Sequence, residues 1–268
     1  MSAAAGMPPI RPSHRIGSIS RTLTQTRPQA LMQQLRFDAP PILIGGCGRS
    51  GTTLLLSALG AHPRIAAISR ETTLFARRRR HRFPSLTHRV MLLRASLMLA
   101  REPVKPEARR WCEKTPANVR VLDRILGRFD DVRFIHIVRD GRDVVTSSHP
   151  SRPGPWVPVR RWVEDVSAGL RYEDDPRVYT LRYEAFVSDY EPTMRALLGW
   201  LDEPFTPEMT AYHEHTTVKR SKAWGSRARE VHAASVGRWS DPRYADHVNE
   251  LLADPEAVAL LERLGYLG

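Results

Sequence analysis

The stretch Pro41-Ile-Leu-Ile-Gly-Gly-Cys-Gly-Arg-Ser-Gly-Thr-Thr-Leu54 decides the fold. Ile42 to Ile44 is a short apolar run, glycines follow at 45, 46, 48 and 51, and an apolar helical pattern begins after the hydroxyls of Ser50, Thr52 and Thr53. Strand, glycine loop and helix start together make an anion cradle. Glycines let backbone N–H groups turn inward, and the helix N-terminus adds the positive end of its dipole. A phosphate or sulfate is the expected guest. Gly46, Gly51 and Thr53 fit the G-x-x-x-x-G-K-[ST] template of nucleoside-triphosphate loops, but Thr52 stands where that template needs Lys. The cation lies inside the loop instead, at Arg49.

Downstream of this loop, apolar strands alternate with helical patterns. Strands are expected at 42–45, 64–68, 109–113, 132–138 and 178–182. Such alternation implies a mainly parallel sheet covered by helices on both faces, an α/β fold of P-loop-like, three-layer α/β/α character. The helix after the loop presents Leu55, Leu56 and Leu59 and ends near Gly60 and Pro63. Thr115-Pro116 reads as a helix start, with Thr as N-cap and Pro at the first helical position. That helix buries Val119, Leu122, Ile125, Leu126 and Phe129. Further helices are expected over 90–100, 156–170, 192–201 and 244–264, and the basic stretch 219–240 reads as a long loop. Ligands of such sheets bind at the carboxyl ends of the strands, so loops following different strands can reach one site.

The chain has 268 residues and a formal net charge of +12, and 37 of its 41 basic residues are Arg. Arg grips phosphate and sulfate through a planar fork. Charge of this sign favours acidic partners and is shared by nucleic-acid binders, but a nucleic-acid-binding surface leaves the anion loop unexplained, and no nucleic-acid partner is expected. Residues 1–39, rich in Arg, Ser, Thr and Pro with no acid before Asp38, read as a flexible basic arm, although a transit peptide shares that composition. Residues 40–268 read as one domain. No secretory leader is expected, and no membrane span: the run 90–100 is broken by Arg94 and falls short of the roughly 20 residues required. Two cysteines, Cys47 and Cys112, give neither a disulfide framework nor a metal site, and a cytoplasmic setting is the default. His213 and His215 flank Glu214 without a third ligand at metal-like spacing and read as structural.

A second anchor is Ile135-His-Ile-Val-Arg-Asp-Gly-Arg-Asp-Val-Val-Thr-Ser-Ser148. Arg139 leaves a strand end, and Ser147 lies eight residues later on the following helix. Together they can hold a phosphate, Arg supplying charge and Ser a directional donor. With this motif the chain resembles the sulfotransferases that use 3′-phosphoadenosine 5′-phosphosulfate (PAPS). Their 5′-phosphosulfate loop is similar to Gly46–Leu54, and their 3′-phosphate motif has the same Arg and Ser eight apart. The resemblance runs from about Pro41 to Trp239 and is nearest to the tyrosylprotein sulfotransferases and related bacterial enzymes. It implies a P-loop-like fold, PAPS as sulfuryl donor, 3′-phosphoadenosine 5′-phosphate (PAP) as product and a hydroxyl acceptor.

Carried over residue by residue, the resemblance implies donor contacts from Cys47, Gly48, Arg49, Ser50, Gly51, Thr52 and Thr53, with Cys47 itself a small filler, and from Arg139, Ser147, Tyr183 and Arg238. Tyr183 is equally readable as a core residue. Glu71, which lies 22 residues beyond Arg49 and follows a Gly-Ala-His-Pro turn, resembles the catalytic base. Lys114 resembles the Lys that contacts the transferring group. Lys114 and Arg49 are then the cations that stabilise charge on the bridging oxygen. In the animal enzymes a disulfide braces this region; Cys112 matches one half, but Ile68 stands near the other. The cluster Arg77 to Arg82 reads as a solvated run or as an attractor for an acidic peptide or saccharide. The alternative is a P-loop kinase or NTPase, opposed by Thr52 and by a strand that ends in Arg139 ahead of Asp140.

Overall fold

A computed structural model describes residues 37–75, 94–95, 97–149, 152–221 and 226–267. In chain order it contains β1 (Ile42–Gly46), α1 (Thr52–Ala61), β2 (Ile65–Ala67), β3 (Arg110–Lys114), a 3-10 turn (Pro116–Val121), α2 (Leu122–Leu126), β4 (Arg133–Val138) and α3 (Gly141–Val145). The hairpin β5 (Ser148–His149) and β6 (Arg152–Pro155) follows, then α4 (Val159–Leu170), β7 (Val178–Arg182), α5 (Tyr183–Ser188) and α6 (Tyr190–Trp200). The chain closes with α7 (Pro207–Thr210), α8 (Tyr212–His215), the hairpin β8 (Arg220–Ser221) and β9 (Ser226–Arg227), α9 (Ala245–Leu252) and α10 (Pro255–Arg263).

Five strands form the central sheet in the order β2-β3-β1-β4-β7, and every pairing is parallel. The two-residue period of the strands divides the core. Ile42, Ile44, Ile135 and Ile137 face α1, α5 and α6 on one side. Leu43, Trp111 and Phe134 face the 3-10 turn and α2 on the other, and α4 and α10 continue that layer around Trp162. The expected three-layer α/β/α arrangement is therefore present. Because β1 is central, the chain lays down β2 and β3 on one side and then returns past β1 to β4. That reversal opens a crevice at the carboxyl ends of β1, β3 and β4.

Local expectations are met where burial alone decides them. The stripe Val159, Val163, Val166 and Leu170 is buried on α4, and Met194, Leu197, Leu198 and Leu201 are buried on and just after α6. Two details differ. The span 244–264 divides at Asp254, whose carboxylate caps α10 by accepting from the Glu256 and Ala257 N–H groups, with Pro255 at the first helical position. Thr115 precedes Pro116 as expected, but its hydroxyl caps nothing; it donates to Glu113, and the helix opens as a 3-10 turn. Phe37 and Ala39 are buried, and the Ala39 N–H donates to the Arg109 carbonyl (3.0 Å). Residues 1–36, the Arg77–Arg82 cluster and positions 90–93 and 96 of the helix expected over 90–100 lie outside the described residues; 94–95 and 97–99 are helical. Among the described residues no helix is long and apolar enough to cross a membrane.

One buried group carries a pH consequence. His136 on β4 is fully enclosed, and neither ring nitrogen has a hydrogen-bond partner among the described residues. Gly169 lets α4 press on this ring: a Cβ there would lie 2.2 Å from it. Burial lowers the imidazole pKa to about 4, against about 6.5 for an unfolded chain. The depressed value means that this site's stabilisation is complete above pH 6.5 and is lost as the pH falls toward 4, a change on the order of 3 kcal/mol. His136→Leu should flatten that slope between pH 7 and 4.5 in urea unfolding; an unchanged slope would contradict the assignment.

Candidate active site

The loop after β1 is shaped by its glycines. Gly46 has φ 152°, and a Cβ on it would meet the Ile137 carbonyl oxygen at 2.4 Å. Gly51 has φ 90°, and its Cβ would strike the Tyr183 ring at 2.4 Å. Gly51→Ala should lower the melting temperature by about 4–8 °C, equivalent to roughly 2 kcal/mol in a domain this size; a melt within about 1 °C of wild type would show that the loop tolerates a side chain. Between these glycines Arg49 takes the left-handed conformation, φ 73°, a strain that persists where the surroundings over-determine it. Gly51 caps α1 without a side chain, and the first turn holds no acid. The helix N-terminus therefore keeps its partial positive charge for a ligand.

Arg139, at the end of β4, turns its buried guanidinium to this loop. One terminal nitrogen donates to the Arg49 carbonyl (3.0 Å) and the other to the Ser235 carbonyl (2.5 Å). The group lies 4.4 Å above the Tyr183 ring, while its Nε is buried with no hydrogen-bond partner among the described residues. Arg49 Nε in turn donates to Ser147 Oγ (3.0 Å). Burial first, and then the nearby Arg139 charge, lower the Arg49 pKa. Two crowded guanidinium groups beside a hydroxyl form a site that an added dianion would stabilise.

The segment from Ser235 to Trp239 is tied to this corner. Tyr183 Oη and Ser235 Oγ are 2.6 Å apart. The buried Asp143 carboxylate accepts from the Gly237 N–H (2.9 Å) and the Trp239 N–H (3.1 Å). It also pairs with Arg139 at 3.6 Å, and Arg142 stacks 3.9 Å from the Trp239 ring centre.

On the other flank, Lys114 ends β3 and Glu71 lies in the loop after β2. Lys114 Nζ donates to Glu71 Oε1 at 2.7 Å; the Lys side chain is buried, whereas that of Glu71 is 50% exposed. Glu71, the loop residues Gly48, Arg49, Gly51, Thr52 and Thr53, and Arg139, Ser147, Tyr183 and Arg238 all line one cavity of about 820 Å³. Asp140, the acid nearest the end of β4, is committed elsewhere: it caps α3 by accepting the Arg142 N–H (2.9 Å) and receives the Arg142 guanidinium at 2.7 Å.

A model of the sulfotransferase family matches residues 40–207. The chain belongs to the sulfotransferase family. It is 26% identical, over 267 aligned positions, to the protein-tyrosine sulfotransferase of Drosophila melanogaster, an alignment covering 85% of this chain and 52% of that protein. The chain thus spans about half the length of this curated relative. Among solved structures, the sulfotransferase domain of the Synechococcus PCC 7002 olefin synthase superposes with a TM-score of 0.59 at 16% identity, over 87% of this chain and 97% of that one. The sulfotransferase domain from the curacin biosynthetic pathway gives 0.52 at 17% identity, over 87% and 99%. Both share the fold.

Against this family frame, the structure gathers most of the expected residues and turns two inward. Cys47 is fully enclosed against Trp162 and Val138, and burial raises its thiol pKa. Ser50 is equally enclosed, its Oγ without a partner among the described residues. Neither side chain lines the cavity, so what these positions offer a ligand is backbone. Lys114 lies just behind the lining and meets the cavity through Glu71. Arg49 lines the cavity and reaches toward Ser147.

Other residues escaped the sequence reading. Trp156 and Arg161 line the cavity, the guanidinium 5.2 Å from the indole ring centre, and Arg161 Nε lies 3.5 Å from buried Asp165 one turn later. Arg227, Arg229 and His232 form part of the wall. The sequence reading brings the loop from Ser221 to His232 to the nucleotide but assigns no residue within it. Asp143 was visible as the acid four residues after Arg139, without anything to show what it held.

Proposed function

We propose that the protein transfers the sulfuryl group of PAPS to a hydroxyl acceptor. The observation that carries the reading is the meeting, in one cavity of about 820 Å³, of a phosphate-type loop, an Arg139–Ser147 corner and a carboxylate paired with a lysine. The residues fit such a donor. An uncapped helix N-terminus suits the phosphosulfate, and the corner with the partnerless Arg139 Nε suits a second, 3′-phosphate. When bound, PAPS supplies an activated sulfuryl group whose leaving group is a phosphate, and PAP is the product.

In this reading Glu71 accepts the proton of the acceptor hydroxyl as its oxygen attacks sulfur in line. Lys114, 2.7 Å from Glu71 Oε1, orients that carboxylate and brings positive charge to the same flank. Fixed cations on this flank would stabilise the negative charge that the bridging oxygen gains as the S–O bond to the leaving phosphate breaks. Lys114 and the α1 N-terminus supply that positive charge first, with Arg49 linking the loop to the Arg139 corner. Tyr183 and the Ser235–Trp239 segment, including Arg238, close over the nucleotide. A magnesium-dependent NTPase reading is disfavoured by Thr52 and by the engagement of Asp140 with Arg142.

The favoured acceptor is a tyrosine in an acidic peptide. Support comes from the protein-tyrosine sulfotransferase relative and from the basic wall. Beyond Arg227 a second, shallower groove of about 460 Å³ adds Lys219 and Arg220. A reducing, cytoplasmic setting belongs to the same reading, supported by two buried, unbridged cysteines, Cys47 and Cys112. The test is incubation with PAPS and a set of acceptors: an Asp/Glu-flanked tyrosine peptide, its neutral counterpart, a simple phenol and a saccharide. A sulfated acidic peptide, detected by mass spectrometry at the highest rate, is the expected result. Preference for the saccharide would overturn the acceptor, and no sulfated product from any of them would overturn the transfer.

A further inference from the structure

Glu71 and Lys114 come from different segments, and one buried carboxylate bonds to the chain neighbour of each. Glu113 is fully enclosed between them in sequence and behind them in space. Its Oε1 accepts from Thr72 Oγ1 at 2.7 Å, from Thr115 Oγ1 at 2.5 Å and, at a longer 3.4 Å, from the Thr72 N–H. Its Oε2 accepts from Asn118 Nδ2 at 2.7 Å. Thr72 directly follows Glu71, and Thr115 directly follows Lys114. Two more bonds close the unit: the Thr73 N–H donates to Thr115 Oγ1 (3.2 Å) and the Leu74 N–H to Thr72 Oγ1 (3.2 Å). Thr73 itself is held at φ 52°, a conformation a β-branched residue adopts only under constraint.

This arrangement is costly as a purely structural device. Enclosing a carboxylate opposes its ionisation, and burial raises the Glu113 pKa against the pull of its four donors. An apolar side chain of similar size commonly stabilises a core as well or better. What the carboxylate adds is direction: its partners fix the 71–75 loop to the end of β3. Successive residues of a strand point to opposite faces, so Glu113 cannot share the side of Lys114, and it does not line the cavity. Thr73 and Thr115 do.

We infer that Glu113 is a positioning residue which, through Thr72 and Thr115, holds the Glu71 carboxylate against Lys114 at the cavity wall. The inference rests on the reading of Glu71 and Lys114 as the reacting pair. It makes the 71–75 loop, otherwise without regular structure, a fixed part of the transfer machinery.

The test uses the full chain, PAPS and the acidic tyrosine peptide, with Thr72→Val and Thr72→Ser beside Glu71→Gln. Thr72→Val removes the hydroxyl at nearly constant volume and leaves Glu113 in place, which avoids the unfolding risk of Glu113→Ala. A misplacement of about 1 Å can cost on the order of 100-fold in rate, so kcat should fall by about 10- to 100-fold in Thr72→Val, with PAP affinity within about twofold of wild type. Amide exchange at Thr72, Thr73 and Leu74 should rise in that variant. Thr72→Ser, which keeps the hydroxyl, should restore kcat to within about threefold of wild type and return protection to the loop. Wild-type kcat and loop protection in Thr72→Val, while Glu71→Gln loses turnover, would overturn the inference and leave the site reading intact. PAP affinity falling in step with kcat would also overturn it, by showing a general structural defect. Full turnover in Glu71→Gln would instead overturn the reading of the reacting pair, and the exchange data would then decide the latch alone.

Discussion

Glu71→Gln is expected to lower kcat for transfer to an acidic tyrosine peptide by about 10²- to 10⁴-fold, the range for loss of a positioned general base. The amide keeps the shape of the side chain and can still accept the hydrogen bond from Lys114 Nζ, but it cannot take the acceptor's proton. Structural damage is not expected to contribute, because the Glu71 side chain is 50% exposed and, among the described residues, pairs with that one lysine. PAP affinity should stay within about twofold of wild type, since the role proposed for the carboxylate is toward the acceptor and not the nucleotide corner. Initial rates at saturating PAPS, with PAP binding measured in parallel, decide it. A parallel loss of nucleotide affinity would move Glu71 from the chemistry to the donor site.

The second large effect is at Arg139. Its guanidinium makes diverging hydrogen bonds to the Arg49 and Ser235 carbonyls, lies over Tyr183 and pairs with buried Asp143. Truncation to Ala removes the cation assigned to the 3′-phosphate and leaves Asp143 enclosed without its ion-pair partner. Losing one partner of a buried charge pair costs roughly 2–5 kcal/mol, so PAP affinity should fall by about 30- to 1000-fold or more. Adenosine 5′-phosphate, which lacks the 3′-phosphate, separates the two causes. If Arg139 reads that phosphate, Arg139→Ala erases the preference for PAP over adenosine 5′-phosphate. If the residue only supports the loop, both affinities fall together and the preference survives. Arg139→Lys retains charge but not the fork, and should recover only part of the loss.

How far the sequence carried this account depends on the kind of feature. Of the five parallel strands, β1, β2, β4 and β7 are short runs rich in apolar residues, as burial demands, whereas β3, Arg110-Trp-Cys-Glu-Lys114, is not such a run. Gly46 and Gly51 were readable because the backbone geometry they permit is rare for other residues. Arg139 and Ser147 were legible through their spacing of eight, although α3 ends at Val145 and Ser147 lies just beyond it and not, as expected, on the helix. The latch residues were not. Asp143 meets Gly237 and Trp239 across 94 and 96 positions, and Glu113 meets Thr72 across 41; no periodicity reports such distances. Thr115 shows the limit from the other side: it has the identity and place of an N-cap, but a buried carboxylate two residues earlier competes for its hydroxyl. Cys47, inside the loop by sequence, points into the core because the chain must turn there and a small thiol fills the space beneath it. Trp156 and Arg161 lie on segments whose pattern reported only the apolar face of α4.

The most direct test of the central claim is a calorimetric titration of the full chain with PAP in the absence of any divalent metal. Saturable one-to-one binding is expected, stronger than that of adenosine 5′-phosphate by about 30-fold or more, if the Arg139–Ser147 corner adds charge-assisted bonds to the second phosphate. No heat with PAP, or binding of ATP that appears only when magnesium is added, would contradict it and return the site to nucleoside-triphosphate chemistry.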